Sequence, residues 1–294
     1  MKKKKISKGS IVLNAILIIM SLTYIIPLIM MLSVSFSSEQ SIMDNGYTLF
    51  PKVFSLDAYK LTFRNPVQII QSYKVTAGYT ILGTVLSILI QSLFGYPLSR
   101  KNFKYKKPLL IFLMITMFFS GGMVPTYILI TKYLTLGNTF WVYIFPALMS
   151  AWNVILFKTY FSSLPESLIE SAKLDGAKEI YIFWRIIIPL STPILATLAF
   201  TTALGKWNDW NTSMLYIRDT NLYSLQYLLQ RILNESDYIK GMQGTAAAQL
   251  VGDQVPSETL KYAMAVIAAG PMLIIFPFFQ KYFAKGLVVG SVKG

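Results

Sequence analysis

Along the chain, stretches free of Asp, Glu, Lys and Arg alternate with short charged intervals. Six of these stretches are long and apolar: Ile11 to Phe36, Val75 to Leu98, Pro108 to Thr131, Tyr133 to Phe157, Ile186 to Gly205 and Tyr262 to Gln280. About 20 mostly apolar residues in a helix cross the hydrocarbon core of a bilayer, and a soluble core seldom supplies even one uncharged stretch of that length. The pattern predicts an all-α fold, a polytopic membrane protein with six transmembrane helices in one domain over residues 1–294. The first run follows Lys2, Lys3, Lys4, Lys5 and Lys8, as a secretory signal would, but its 26 residues exceed the roughly 7 to 15 of a signal's apolar region. It reads as a retained first span.

Several runs contain helix breakers. Gly121, Gly122 and Pro125 fall in the third, Pro189 and Pro193 open the fifth, and Gly270, Pro271 and Pro277 interrupt the sixth. Two readings stand. Gly and Pro are commoner in membrane helices than in soluble ones, and broken backbone in a membrane is tolerated where it faces protein or a watery path.

Composition sharpens the picture. The chain is 54% hydrophobic and 14% charged, with a formal net charge of +14. A nucleic-acid binder would explain the charge but not the apolar content. With both termini on the cytoplasmic side, six spans place 17 of the 27 basic residues inside and only four of the 13 acids, so the basic excess is a topology signal. The expected location is the cell membrane, multi-pass, with both termini cytoplasmic. There is no His and no Cys, which excludes imidazole or thiolate metal sites, disulfides and a histidine proton shuttle. No carboxylate lies inside a run, so proton coupling is not expected; Asp209 would enter the fifth span only if that helix started late and continued past Lys206. The long outer connections, Ser37 to Lys74 and Lys206 to Lys261, are too short for an independent domain, so ligand capture or energy supply falls to partners.

All four inner acids, Glu166, Glu170, Asp175 and Glu179, lie in one inner loop, 158–185. Ser163 is placed to cap a helix there, with Pro165 in its first turn and Glu166 completing a capping box. Leu164, Leu168 and Ala172 recur every four residues and share a face with Ile169, and Gly176 can stop the helix. The prediction is a short amphipathic helix at the inner membrane surface.

The string Glu170-Ser171-Ala172, three residues, Gly176, nine residues, Ile186, one residue, Ile188-Pro189 resembles the motif E-A-A-x3-G-x9-I-x-L-P. That motif belongs to permease subunits of ATP-binding-cassette importers; Ser171 and Ile188 depart mildly from it. Gly121 to Tyr127, Lys206-Trp207-Asn208-Asp209-Trp210, Gly270-Pro271, Gln280 to Phe283 and Val292-Lys293-Gly294 look like the carbohydrate branch, the maltose-type inner-membrane component family. The resemblance implies the type I ABC importer permease architecture and a permease that moves a carbohydrate, an oligosaccharide, by alternating access. It implies as partners a second homologous permease subunit, two ATPase subunits, an extracytoplasmic solute-binding protein and the lipid membrane, with no nucleic acid. It also implies that Glu170, Ser171, Ala172, Asp175, Gly176, Ile186 and Pro189 couple to the ATPase, with Leu164, Leu168 and Ile169 as the apolar docking face.

The chain has no Walker A loop, since Gly205-Lys206 is followed by Trp207 and Phe200 stands where that loop needs glycine. ATP and Mg therefore belong to the partner ATPase; no cofactor is expected on this chain, and the chain is expected not to be an enzyme. Neutral sugars are recognised by aromatic faces and amides. Trp152, Asn153, Trp207, Asn208 and Trp210 are candidates for the translocation path, and the Trp residues can equally form the interfacial belt, while Asn153 can bond a neighbouring helix. The alternatives are an importer permease for another solute, a channel or scaffold without an ATPase, and a membrane-embedded enzyme.

Overall fold

The computed structural model describes residues 8–64, 66–241 and 258–286. Lys2 to Lys5, Lys293 and the piece Val292-Lys293-Gly294 lie outside the described residues. Among the described residues there is no strand, only an isolated bridge between Ser37 and Phe54, and the fold is all-α. The helices are α1 (Lys8–Ser35), α2 (Glu39–Asn45), α3 (Asp57–Thr62), α4 (Pro66–Ser99), α5 (Lys106–Phe118), α6 (Met123–Ile128), α7 (Ala151–Ser163), α8 (Glu166–Leu174), α9 (Glu179–Ile182), α10 (Ile188–Leu190), α11 (Thr192–Trp207), α12 (Asn211–Tyr216), α13 (Leu225–Gly241) and α14 (Glu258–Gly286). Two compact units form, Met1–Val67 with Leu229–Pro271, and Gln68–Leu228 with Met272–Gly294.

Three helices are each long and apolar enough to cross a membrane, Gly9–Ser35, Pro66–Ser99 and Glu258–Gln280. The other three predicted spans are not straight. Lys106–Phe118 and Met123–Tyr133 meet at 109°, Phe140–Ala147 and Ala151–Ser163 at 50°, and Glu179–Leu190 and Thr192–Trp207 at 80°. The first break has a local cause: Gly122 sits at φ +83, a conformation that costs other residues about 1–2 kcal/mol, and Ser120 and Gly121 precede it. The fourth run begins as short 3₁₀ turns and becomes an α-helix only at Ala151; that helix runs on through Lys158 to Ser163, so the inner loop starts later than residue 158. The fifth starts at Thr192, behind Ser191 and ahead of Pro193, and ends at Trp207.

In the first unit, α1 leaves its apolar side chains open from Ile11 to Leu32, as a helix solvated by lipid does. Glu39 caps α14: its carboxylate accepts the N–H groups of Glu258 and Thr259 at 3.1 and 3.0 Å and the Thr259 hydroxyl at 2.8 Å. Tyr47 packs edge-on against Tyr262 and donates to Glu258.

In the second unit, α4 carries its polarity inverted. Ser72, Thr76, Ser87 and Gln91 are buried, while Ile81 and Val85 face outward. Lipid tails solvate Ile and Val as well as a protein core does, so outward apolar and inward small or polar is the stable arrangement. Gly95 lets α4 approach α7: a Cβ there would stand 2.8 Å from Phe157 Cβ. One core gathers Tyr96, Phe157, Phe161, Ile169, Ile182, Phe183, Ile187 and Leu198; a second gathers Val75, Tyr79, Ile130, Val142 to Ile144, Ile217 and Tyr223.

Candidate translocation cavity and inner loop

The loop helix differs in its start from the predicted one. Ser163 still belongs to α7 and turns its hydroxyl back to the Tyr160 carbonyl at 2.7 Å, so it does not cap the next helix. Pro165 stands at the cap position instead of in the first turn, and α8 begins at Glu166. The end of α8 is a Schellman turn. Gly176 takes φ +81, its N–H bonds the Lys173 carbonyl at 3.0 Å, and the Ala177 N–H bonds the Ala172 carbonyl at 2.9 Å.

The apolar face of α8 points inward. Ile169 is buried in the chain's own core, and Leu164 and Ala172, both partly buried, pack against it. Leu168 and Leu174 remain exposed, the latter at 89%. The hydrophobic periodicity marked the buried face of a helix, and nothing in a sequence distinguishes burial on one's own core from burial on another chain.

Two of the inner acids fasten the loop. Glu166 pairs with Lys101 in the turn after α4, and Glu179 pairs with Lys173 at 2.5 Å and accepts the Tyr96 hydroxyl of α4. The Lys101 ammonium holds the Glu166 carboxyl below the usual carboxylate range. Glu170 and Asp175 are exposed and form no ion pair among the described residues; Ser171 and Gly176 are exposed with them. Ile186 is half-buried in a π-turn and Pro189 is exposed on α10, just before the 80° break.

A cavity of about 610 Å³ opens beside the C-terminal half of α11. Asn153, Asn208 and Trp210 of the predicted path line it. Trp152 and Trp207 do not: Trp152 is exposed elsewhere on α7, and Trp207 is buried against Tyr73 with ring centroids 6.2 Å apart. Asn153 donates to Gln91 Oε1 at 3.1 Å and to Thr202 at 3.4 Å, and Gln91 donates to the Leu148 carbonyl at 2.8 Å. The amide thus bonds neighbouring helices and borders the cavity at once. The rim beyond α11 is held by hydroxyls: Ser213 donates to Ser224 and Ser224 to the Asp209 carbonyl, while the Tyr143 hydroxyl donates to the Leu222 carbonyl at 2.7 Å.

Gln91, Tyr143, Tyr216 and Lys206 also line the cavity and were not singled out from the sequence. Gln91 carried a readable signal as the lone carboxamide in its apolar run. Lys206, expected in an outer loop, sits in the last turn of α11 at 7% exposure. Asp209 lies two residues past the end of that helix and caps α12 through the Thr212 N–H.

Apolar helices broken partway along their length, an inverted polar face on α4, a polar cavity at the end of a bent helix pair and the motif-bearing loop point to a membrane permease. Residues 82–289 match the family described as "Binding-protein-dependent transport system inner membrane component", and the chain belongs to that family. It is 38% identical to the polygalacturonan/rhamnogalacturonan transport system permease protein YtcP of Bacillus subtilis (strain 168), over 95% of this chain and 96% of that one. It is 30% identical to the arabinooligosaccharides transport system permease protein AraQ of Halalkalibacterium halodurans, over 92% and 91%. A crystal structure of a bacterial ABC transporter importing the acidic polysaccharide alginate contains a chain that superposes with a TM-score of 0.76 at 28% identity, covering 96% of this chain and 99% of that one. The chain is a permease subunit of an ABC importer in the cell membrane; ATP hydrolysis belongs to a separate subunit, and a binding protein delivers the solute.

Proposed function

We propose that this chain is one of two homologous permease subunits of a carbohydrate importer and moves an oligosaccharide by alternating access. The observation that carries the reading is the cavity at the end of α11, where the amides of Asn153 and Asn208, the Thr202 hydroxyl and the Trp210 indole converge. Amides and hydroxyls match sugar hydroxyls, and an aromatic face matches the apolar side of a pyranose ring. The sugars named for its relatives support the class.

In this reading two ATPase subunits carry ATP and Mg, an extracytoplasmic binding protein presents the sugar, and both termini are cytoplasmic, in keeping with the basic residues at Arg100 to Lys107. The ATPase meets the inner loop on the surface left open there, Leu168, Glu170, Ser171, Leu174, Asp175 and Gly176. A rigid-body movement of the ATPase then passes through Ile186 and Pro189 into α11.

The test is ATP-driven uptake of labelled oligosaccharides in proteoliposomes holding the complete importer. Gly176→Val is the diagnostic variant. A β-branched residue is strained at φ +81, although no atom lies within 4 Å of the missing Cβ, so the substitution alters the angle of the turn without a clash. Uptake is expected to fall at least about tenfold while the subunits stay associated. No uptake of any oligosaccharide by the unaltered importer overturns the carbohydrate reading.

A further inference from the structure

The side chain of Lys206 is the least expected feature of the cavity wall. It lines the cavity yet is 7% exposed, and its Nζ makes a single long hydrogen bond, 3.5 Å, to the Tyr143 carbonyl. An ammonium has three donors, and a buried charge is costly unless it is paired or hydrogen-bonded. Among the described residues no carboxylate lies within 4.0 Å of it. The other charged side chain on the wall, Asp209, is half-buried and gives one oxygen to the Thr212 N–H at 3.0 Å.

The position of this ammonium is built from two sides. Tyr79 donates to the Lys206 carbonyl at 3.1 Å and stacks on Tyr143 with centroids 4.3 Å apart, which fixes the backbone. One turn along α4, Gly83 leaves the room in which the side chain lies: a Cβ there would stand 3.0 Å from both Cε and Nζ of Lys206. The C-terminal carbonyls of α11 favour a cation at this place, but they do not use up its donors.

Resting on the carbohydrate reading above, we propose that the cavity is a site for an acidic oligosaccharide, in which Lys206 pairs with a uronate carboxylate while Asn153, Asn208 and Trp210 receive the ring. Carboxylate to ammonium is the charge-assisted bond that a neutral sugar hydroxyl cannot equal. Lys206 is thereby the residue that separates acidic from neutral sugars.

The experiment compares trigalacturonate with its fully methyl-esterified, uncharged form in proteoliposomes holding the complete importer, with Lys206 intact, Lys206→Gln and Lys206→Arg. The binding protein is the same throughout, so its own preference cancels when the ratio of KM for ester to KM for acid is compared between the variants. That ratio is expected to favour the acid and to fall at least about tenfold in Lys206→Gln, with Lys206→Arg retaining most of the preference. Co-purification of the partner subunits shows that each variant is folded. An unchanged ratio in Lys206→Gln, or both sugars losing uptake in equal measure, overturns the anionic site and assigns Lys206 a structural role. Uptake of neither sugar, nor of any neutral oligosaccharide, overturns the carbohydrate reading itself.

Discussion

Gly95 sets how closely α4 and α7 approach, because a Cβ at this position would meet Phe157 Cβ at 2.8 Å and backbone atoms of Val154 and Lys158 at 3.3 Å. These neighbours are the stiff parts of a helix, not the end of a flexible side chain. Gly95→Ala is therefore expected to destabilise the protein by about 1–3 kcal/mol, as overpacking does, against the usual gain from replacing a helical glycine. Thermal unfolding of the detergent-solubilised complex measures it, and an unchanged or raised Tm contradicts the close approach. Lys206 shows what residue-level reading of the sequence missed. Dividing the chain at each charged residue places every lysine outside a span by construction, so a lysine held within the last turn of α11 could not be recognised. Only the three-dimensional pairing of Gly83 with Lys206, 123 positions apart in the chain, reveals the seat of the ammonium.

The helices follow the charge-free runs in order, because a bilayer excludes charge and both facts come from the same physics. The breaks were less legible. Gly121 and Gly122 in the third run and Pro189 and Pro193 in the fifth stood out as breakers, and the chain turns by 109° and 80° beside them, but their presence alone gave neither angle, and the 50° bend in the fourth run was not read. For α8 the periodicity identified a helix and Gly176 its end, but the start moved because Ser163 spends its hydroxyl on Tyr160. The tie between Lys101 and Glu166 gives α8 a pH dependence. The Glu166 pKa is lowered by the hydrogen bond from Lys101, so the tie is complete above the ordinary carboxylate pKa and is lost as pH falls through the lowered value. Both side chains are well exposed, so salt weakens the tie too. Spin labels at positions 102 and 167 are expected to give a narrow distance distribution at pH 7 and a broad one below the carboxylate range. Glu166→Gln is expected to be broad at both; a distribution indifferent to pH in the unaltered protein contradicts the tie.

At the scale of the molecule, the family was legible in a string of 20 residues from Glu170 to Pro189, because a glycine and a proline at fixed spacing report a turn and a helix break at set places. The structure gives physical content to both: a Schellman turn at Gly176 and a break just after Leu190. The surroundings of the cavity were not legible, since they join α4, the 3₁₀ turns before α7, α11 and α12, which are distant in sequence. Purification in mild detergent is expected to bring down an ATPase and a second permease of similar span pattern. Recovery of this chain as a lone homo-oligomer contradicts the importer assembly. The 80° bend between Glu179–Leu190 and Thr192–Trp207 has a mechanical meaning. An arm bent nearly at a right angle is a crank: a push along its short limb emerges almost wholly as sideways travel of the long one. The long limb here carries Lys206 in its last turn, so a push along the short limb would carry that end of the cavity wall sideways.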